Sequence, residues 1–139
     1  MAAVTFLLDT NVFLELLLDR EKSGDVRRLF ATLEPEAYAI SDFSLHSIGV
    51  ILARMDRHDL LLEFIDDMIV ETGMRVVGIP SSHLGEVVTA ILRYRLDFDD
   101  AYQLVAAERY SLRLVSFDRH FDPTPSGRVE PADVLSRAE

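Results

Sequence analysis

Three aspartates fall within four positions, Asp97, Asp99 and Asp100 in "LDFDDAY", just where the apolar helical run "LVAA" begins. Asp100 shares a helical face with Leu104 and Ala107, so its carboxylate leans inward. No cation accompanies it locally, because Arg93 and Arg95 belong to the preceding segment. An unpaired buried carboxylate either takes up a proton or is strongly destabilising. Two distant aspartates bear on this one. Asp9 closes the apolar run "AVTFLL", and Asp118 lies just past "LRLVSF". If both runs are strands of a parallel sheet, their carboxyl ends open on one edge, where ligands bind at the topological switch point. Asp9, Asp100 and Asp118 can then meet. Three converging carboxylates repel one another unless a divalent cation holds them, and hard oxygen donors suit Mg²⁺ or Mn²⁺. Each residue alone has a plainer reading: Asp97 as a helix N-cap, Asp99 as a helix-dipole partner, Asp9 and Asp118 each as the cap of a following helix. Their joint occurrence favours the metal site.

The elements that must position these groups can be read from the hydrophobic pattern. "AVTFLL", "AYAI", "RVVGI" and "LRLVSF" are short apolar runs that read as buried strands. Helices are expected from Asn11 to Leu18 and over "DVRRLFATLE", "SDFSLHSIGVILARM", "DLLLEFIDDMIV", "SSHLGEVVTAILRYR" and "DFDDAYQLVAAERY". Ser41 is the expected N-cap of the third of these, and Gly73 the stop of the fourth. A loop "PTPSG", a short strand or turn at "RVE" and a helical end after Pro131 complete the chain. Apolar strands alternating with helical stretches predict an α/β protein: a three-layer α/β/α sandwich around a central parallel sheet of four or five strands. The 139 residues are expected to form one domain, 1–139, with no internal boundary.

Composition narrows the function. The absence of cysteine excludes disulfides, zinc–thiolate sites and a thiol nucleophile. The apolar N-terminus lacks a basic n-region and is interrupted by Asp9 and Glu15, so neither a signal peptide nor a membrane span is expected, and a cytoplasmic location is. A net charge of −10, with thirteen arginines and the single lysine Lys22, argues against nucleic-acid binding through a broad basic face. It leaves room for a nucleic-acid enzyme whose acidic site is neutralised by metal.

"LLDTNVFLELL" and "LDFDDAYQLVAAERYSLRLVSFDRHF", with the helix-rich middle, resemble the PIN domain, the fold of the toxin-type ribonucleases. The resemblance covers nearly the whole chain. It implies a parallel sheet, four acidic residues at its carboxyl edge, Mg²⁺ or Mn²⁺, and hydrolysis of RNA phosphodiesters. The family's aspartates fall on Asp9, Asp100 and Asp118, which are the implied catalytic and metal-holding residues. Asn11 matches the Asn or Ser position of the first motif, and Asp97 is a candidate supporting group in the same pocket. The family's glutamate on the helix after the second strand is missing: in "SDFSLHS" that position holds Ser47, with Asp42 and His46 the nearest alternatives, neither in the expected helical phase. Arg93, Arg95 and Arg119 flank the acidic motifs as candidate phosphate contacts, with solvated helix-end and loop arginines as the plainer reading. Such toxins pair with a small antitoxin protein and commonly form homodimers, so both are expected partners beside RNA.

Two other functions compete. Aspartate phosphorylation also places an aspartate after the first strand, but it normally needs a late lysine, and none follows Lys22. A degenerate PIN domain, acting as a binding module with weak or no nuclease activity, is compatible with Ser47 and the acidic surface.

Overall fold

The computed structural model describes residues 5–138, with side chains as far as Arg137, so Ala3 and Val4 of the first expected strand lie outside it. Among the described residues four strands form one parallel sheet in the order β3-β2-β1-β4. These are β1 (Phe6–Leu8), β2 (Tyr38–Ser41), β3 (Arg75–Val77) and β4 (Arg113–Val115). Leu7 lies opposite Ala39 on one side and Leu114 on the other, which makes β1 an inner strand. Residues alternate between faces with period two. Leu7, Ala39 and Leu114 enter one apolar cluster, whereas Leu8, Ile40 and Val115 enter the other. Both faces are therefore covered, and the predicted three-layer α/β/α sandwich is the fold.

One face carries α1 (Thr10–Leu17), α2 (Ser23–Thr32), α3 (Asp42–Arg54), α4 (His58–Phe64) and α7 (Pro131–Ala138). Phe13 and Phe64 anchor that layer, their rings edge-to-face at 5.6 Å between centroids. The opposite face carries α5 (Leu84–Tyr94) and α6 (Phe98–Arg109), packed together through Val87, Ala90, Val105 and Ala106. Local contacts set several element boundaries. The "LRLVSF" run is a strand only over Arg113–Val115; beyond it the Ser116 hydroxyl bonds Asp9 and the Phe117 amide bonds Asn11. The helix begun at His58 widens into a π turn over Ile65–Glu71 before Gly73, at φ +71°, ends it. "RVE" contributes a single parallel bridge from Val129 to Val115 rather than a fifth strand.

The topology decides where chemistry can occur. From β1 the chain steps to β2 and β3 on one side, then returns across the sheet to place β4 on the other side of β1. The crevice at the carboxyl ends of β1 and β4 is the switch point. Asp9 and Asp118 stand there.

Candidate metal centre

Asp9 follows β1 directly and is the N-cap of α1, its Oδ1 accepting the amide of Thr10 at 2.8 Å. It is buried, and a polar network encloses it. Gln103 Nε2 donates to Asp9 Oδ1 at 2.8 Å and to Ser44 Oγ at 2.7 Å, while Ser116 Oγ donates to Asp9 Oδ2 at 2.7 Å. The proton positions in this network are fixed by exclusion. Ser116 Oγ already accepts from the Asp118 amide (2.9 Å) and from Asn11 Nδ2 (3.2 Å), so its own hydrogen goes to Asp9. Ser41 Oγ accepts the Ser44 amide, so its hydroxyl donates to Gln103 Oε1 and leaves the Gln103 amide nitrogen facing Asp9. Asp9 thus receives three donors and offers none. Burial pushes its carboxyl pKa upward, while the hydrogen bonds from Gln103, Ser116 and Thr10 oppose the shift. The three donors fill both acceptor sites of Oδ1 and one of Oδ2, which leaves Oδ2 one site open.

Asp100 lies in the first turn of α6, and Asp118 precedes a 3₁₀ turn, Arg119–Phe121, where its Oδ1 accepts the His120 amide at 2.9 Å. Asp9, Asp100 and Asp118 line one cleft of about 220 Å³ together with Asn11, Ser47, Phe43, Asp99 and Gln103. Partial burial together with the Asp118, Asp9 and Asp99 carboxylates raises the Asp100 pKa to about 6. His120, exposed at the mouth, brings Nδ1 within 3.1 Å of Asp118 Oδ1 and 3.4 Å of Asp100 Oδ2. The Asp118 carboxylate is the main reason its pKa rises. Imidazolium is the cation nearest the cluster.

The remaining candidates divide. Asn11 is at the site, donating to Ser116 and accepting the Phe117 amide at 3.2 Å. Ser47, one turn along α3 from Ser44, lines the cleft; His46 beside it is exposed and does not. Asp42 is not in the cleft. Its carboxylate is tied to the Phe43 amide (2.8 Å) and to the Tyr102 hydroxyl (2.7 Å). Asp97 occupies the N-cap of α6, but its side chain makes no capping bond; it borders a small adjoining cleft with Arg95, Asp100 and His120. Arg93 is elsewhere, in a separate groove between α5 and α6 with Glu86 and Glu108. Arg119 is exposed beside Asp118 and makes no ion pair among the described residues. Of the three arginines, Arg95 and Arg119 are near the acidic groups and Arg93 is not.

Three contributors escaped the sequence reading. Gln103 and Ser116 carried a faint signal, a polar residue inside the apolar runs "YQLVAA" and "LVSF". His120 carried none beyond its closeness to Asp118. Asp100, Asp118 and His120 each present one donor atom, all within 4.8 Å of one another, and this group could hold a divalent ion. Asp9 differs from the other two aspartates because protein donors already occupy it. The donor chemistry fits a hard or borderline cation: two carboxylates, one of them with its pKa raised to about 6 by burial and neighbouring carboxylates, and an imidazole.

Residues 6–126 match the model of the PIN domain family. The chain belongs to the PIN domain family. Solved structures with the same fold include VapC20 of Mycobacterium tuberculosis, a sarcin-ricin loop cleaving toxin. That match has a TM-score of 0.77 at 18% identity and covers 91% of this PIN chain and 100% of that one. A toxin–antitoxin complex from Klebsiella pneumoniae matches with a TM-score of 0.73 at 20% identity, over 91% of this chain and 98% of that one. PAE2754 from Pyrobaculum aerophilum matches with 0.69 at 22%, over 99% and 98%. No curated protein sequence matches this PIN chain.

Proposed function

We propose that the chain, acting as one domain over residues 1–139, is a metal-dependent endoribonuclease and the toxin of a toxin–antitoxin pair. The observation that carries this reading is the convergence of Asp9, Asp100 and Asp118, from three separate segments, on one cleft at the sheet's switch point. The toxins among proteins of the same fold support it. Asp100 and Asp118, with His120, would hold Mg²⁺ or Mn²⁺, with Asp9 lining the same cleft. A bound divalent ion supplies a water of lowered pKa and positive charge against a phosphodiester. The chain's own groups do the rest. Gln103 and Ser116 fix the rotamer of Asp9, Asn11 braces Ser116, and Arg95 and Arg119 stand where strand phosphates flank the cleft.

RNA is the substrate, a small antitoxin protein the regulator, a homodimer the assembly and the cytoplasm the location. Among the described residues no helix is long and apolar enough to cross a membrane. The test pairs Mn²⁺ calorimetry with cleavage of a labelled single-stranded RNA. Wild type binds the ion and cuts, whereas Asp100→Asn loses both while remaining folded. Ion binding without cleavage of any RNA favours the second reading, a PIN domain that binds a partner without cutting. Behind that alternative is Ser47, which lines the cleft where the family resemblance implies a glutamate.

A further inference from the structure

Three aromatic rings form a continuous wall that starts inside the acidic cleft and leads out of it. Phe43, the second residue of α3, lines the cleft. Its ring lies 5.7 Å from Tyr102 and 6.5 Å from Phe98, and Phe98 lies 6.1 Å from Tyr102. The wall is held rigidly from behind. Tyr102 is buried, its hydroxyl donating to Asp42 and accepting the Ile79 amide at 3.0 Å. Phe98 is different: it opens α6, next to Asp99 and Asp100, and 47% of it is exposed. A first helical position makes no demand for a phenyl ring, and apolar area left in water contributes nothing to folding.

The charge of the neighbourhood selects the occupant. Asp9, Asp99, Asp100 and Asp118 line the cleft, and no lysine or arginine does. The chain carries −10 overall. Phosphates gain nothing from this wall, so it can attract only an uncharged part of a ligand. An uncharged, flat, unpaired base is such a part, because stacking on an aromatic face needs no positive charge and tolerates any base. We propose that Phe98, backed by Phe43 and Tyr102, is the stacking platform for an unpaired nucleobase of the RNA strand whose phosphodiester enters the cleft. This rests on the ribonuclease reading and gives it a substrate class: strands with a splayed base beside the scissile bond, not continuous duplex.

The chain has no tryptophan, so Phe98→Trp introduces a single indole reporter on the platform. Full-length protein is mixed with short single-stranded RNA, with the same strand carrying one abasic position, and with a fully paired duplex, while fluorescence anisotropy of the labelled RNA reports total binding. The expected result is quenching of the F98W indole by the single strand, relieved by the abasic position and absent with duplex. Phe98→Ala then weakens single-strand binding by about tenfold or more, with Mn²⁺ affinity changed less than twofold. Phe98→Leu keeps apolar bulk without an aromatic face, so it must fail to restore binding, whereas Phe98→Tyr must restore it; rescue by leucine overturns the proposal in favour of simple packing. RNA that binds and is cut without quenching, and equally well by Phe98→Ala, overturns the platform and leaves the ribonuclease standing. A wall required for a protein partner but not for RNA also overturns it. Wild type that neither binds nor cuts RNA in the presence of Mn²⁺ removes both readings.

Discussion

Asp9 and Asp100 show how two carboxylates in one cleft receive opposite treatment. Asp9 is buried, and hydrogen bonds from three protein donors oppose the upward pull of burial on its pKa, whereas Asp100 lacks those donors and meets its neighbours' charges directly. A cation therefore contributes most at Asp100 and Asp118, and least at Asp9. Ser47 faces the same cleft with a short hydroxyl where the family's glutamate is expected. Ser47→Glu should add an oxygen ligand and a negative charge, tightening Mn²⁺ binding by about tenfold. In the metal-free protein the same charge should be destabilising by about 1 kcal/mol or more, well beyond the roughly half kcal/mol typical of an exposed site. Calorimetry and melting temperatures with and without Mn²⁺, on wild type and variant, check both signs. No change in either would mean that Ser47 does not stand at a ligand position.

Elements rather than residues set the rigidity of the site. The start of α3 is joined to α6 twice: through Ser41 and Ser44 to Gln103, and through Asp42 to Tyr102. Gly78, just past β3, lets the second joint close. A Cβ built there would lie 2.5 Å from Asp42 Oδ2 and 2.9 Å from its Cγ, too near for either atom. Gly78 has no need of left-handed backbone; its role is this close approach. Gly78→Ala should push Asp42 off Tyr102 and leave that hydroxyl one partner short, costing about 1–2 kcal/mol. Urea unfolding should register the loss, and Gly78→Ala combined with Asp42→Ala should recover part of it, because the obstructed carboxylate is gone. A double variant no more stable than Gly78→Ala alone would show that the strain lies elsewhere.

At the scale of the whole molecule, the unsatisfied charge in the cleft should appear as an acid response. Asp100 titrates at about 6 in the folded chain, against 3.8 for the ordinary side chain. Between those values the folded form holds more protons than the unfolded one, so stability falls as pH rises. His120, with its pKa also raised, acts in the same direction at higher pH. Metal-free protein should lose about 1–2 kcal/mol from Asp100 between about pH 4 and pH 7 after allowance for solvent screening. Saturating Mn²⁺ should reverse the trend, because binding then favours the ionised folded state. Melting curves across this range, with chelator and with Mn²⁺, test the trend; a metal-free protein that grows steadily more stable toward neutral pH would contradict the repulsive cluster. The sequence alone determined the layers and the aspartates. Continuous apolar runs and capping residues are local signals, strand ends of a parallel sheet fall on one edge whatever the connections, and Asp100 lies on the apolar face of its helix, which is why Asp9, Asp100 and Asp118 could be named before their distances were known. Tertiary structure alone decided the rest. Asp42 and Arg93 fall outside the cleft, Gln103 lines it and His120 stands at its mouth, because each side chain's direction depends on which elements pack together, α3 against α6 and α5 against α6 among them. The proton order around Asp9 and the wall of Phe43, Phe98 and Tyr102 join residues as many as 107 positions apart along the chain. No local pattern encodes such pairings, since they exist only once the sheet has closed its two faces.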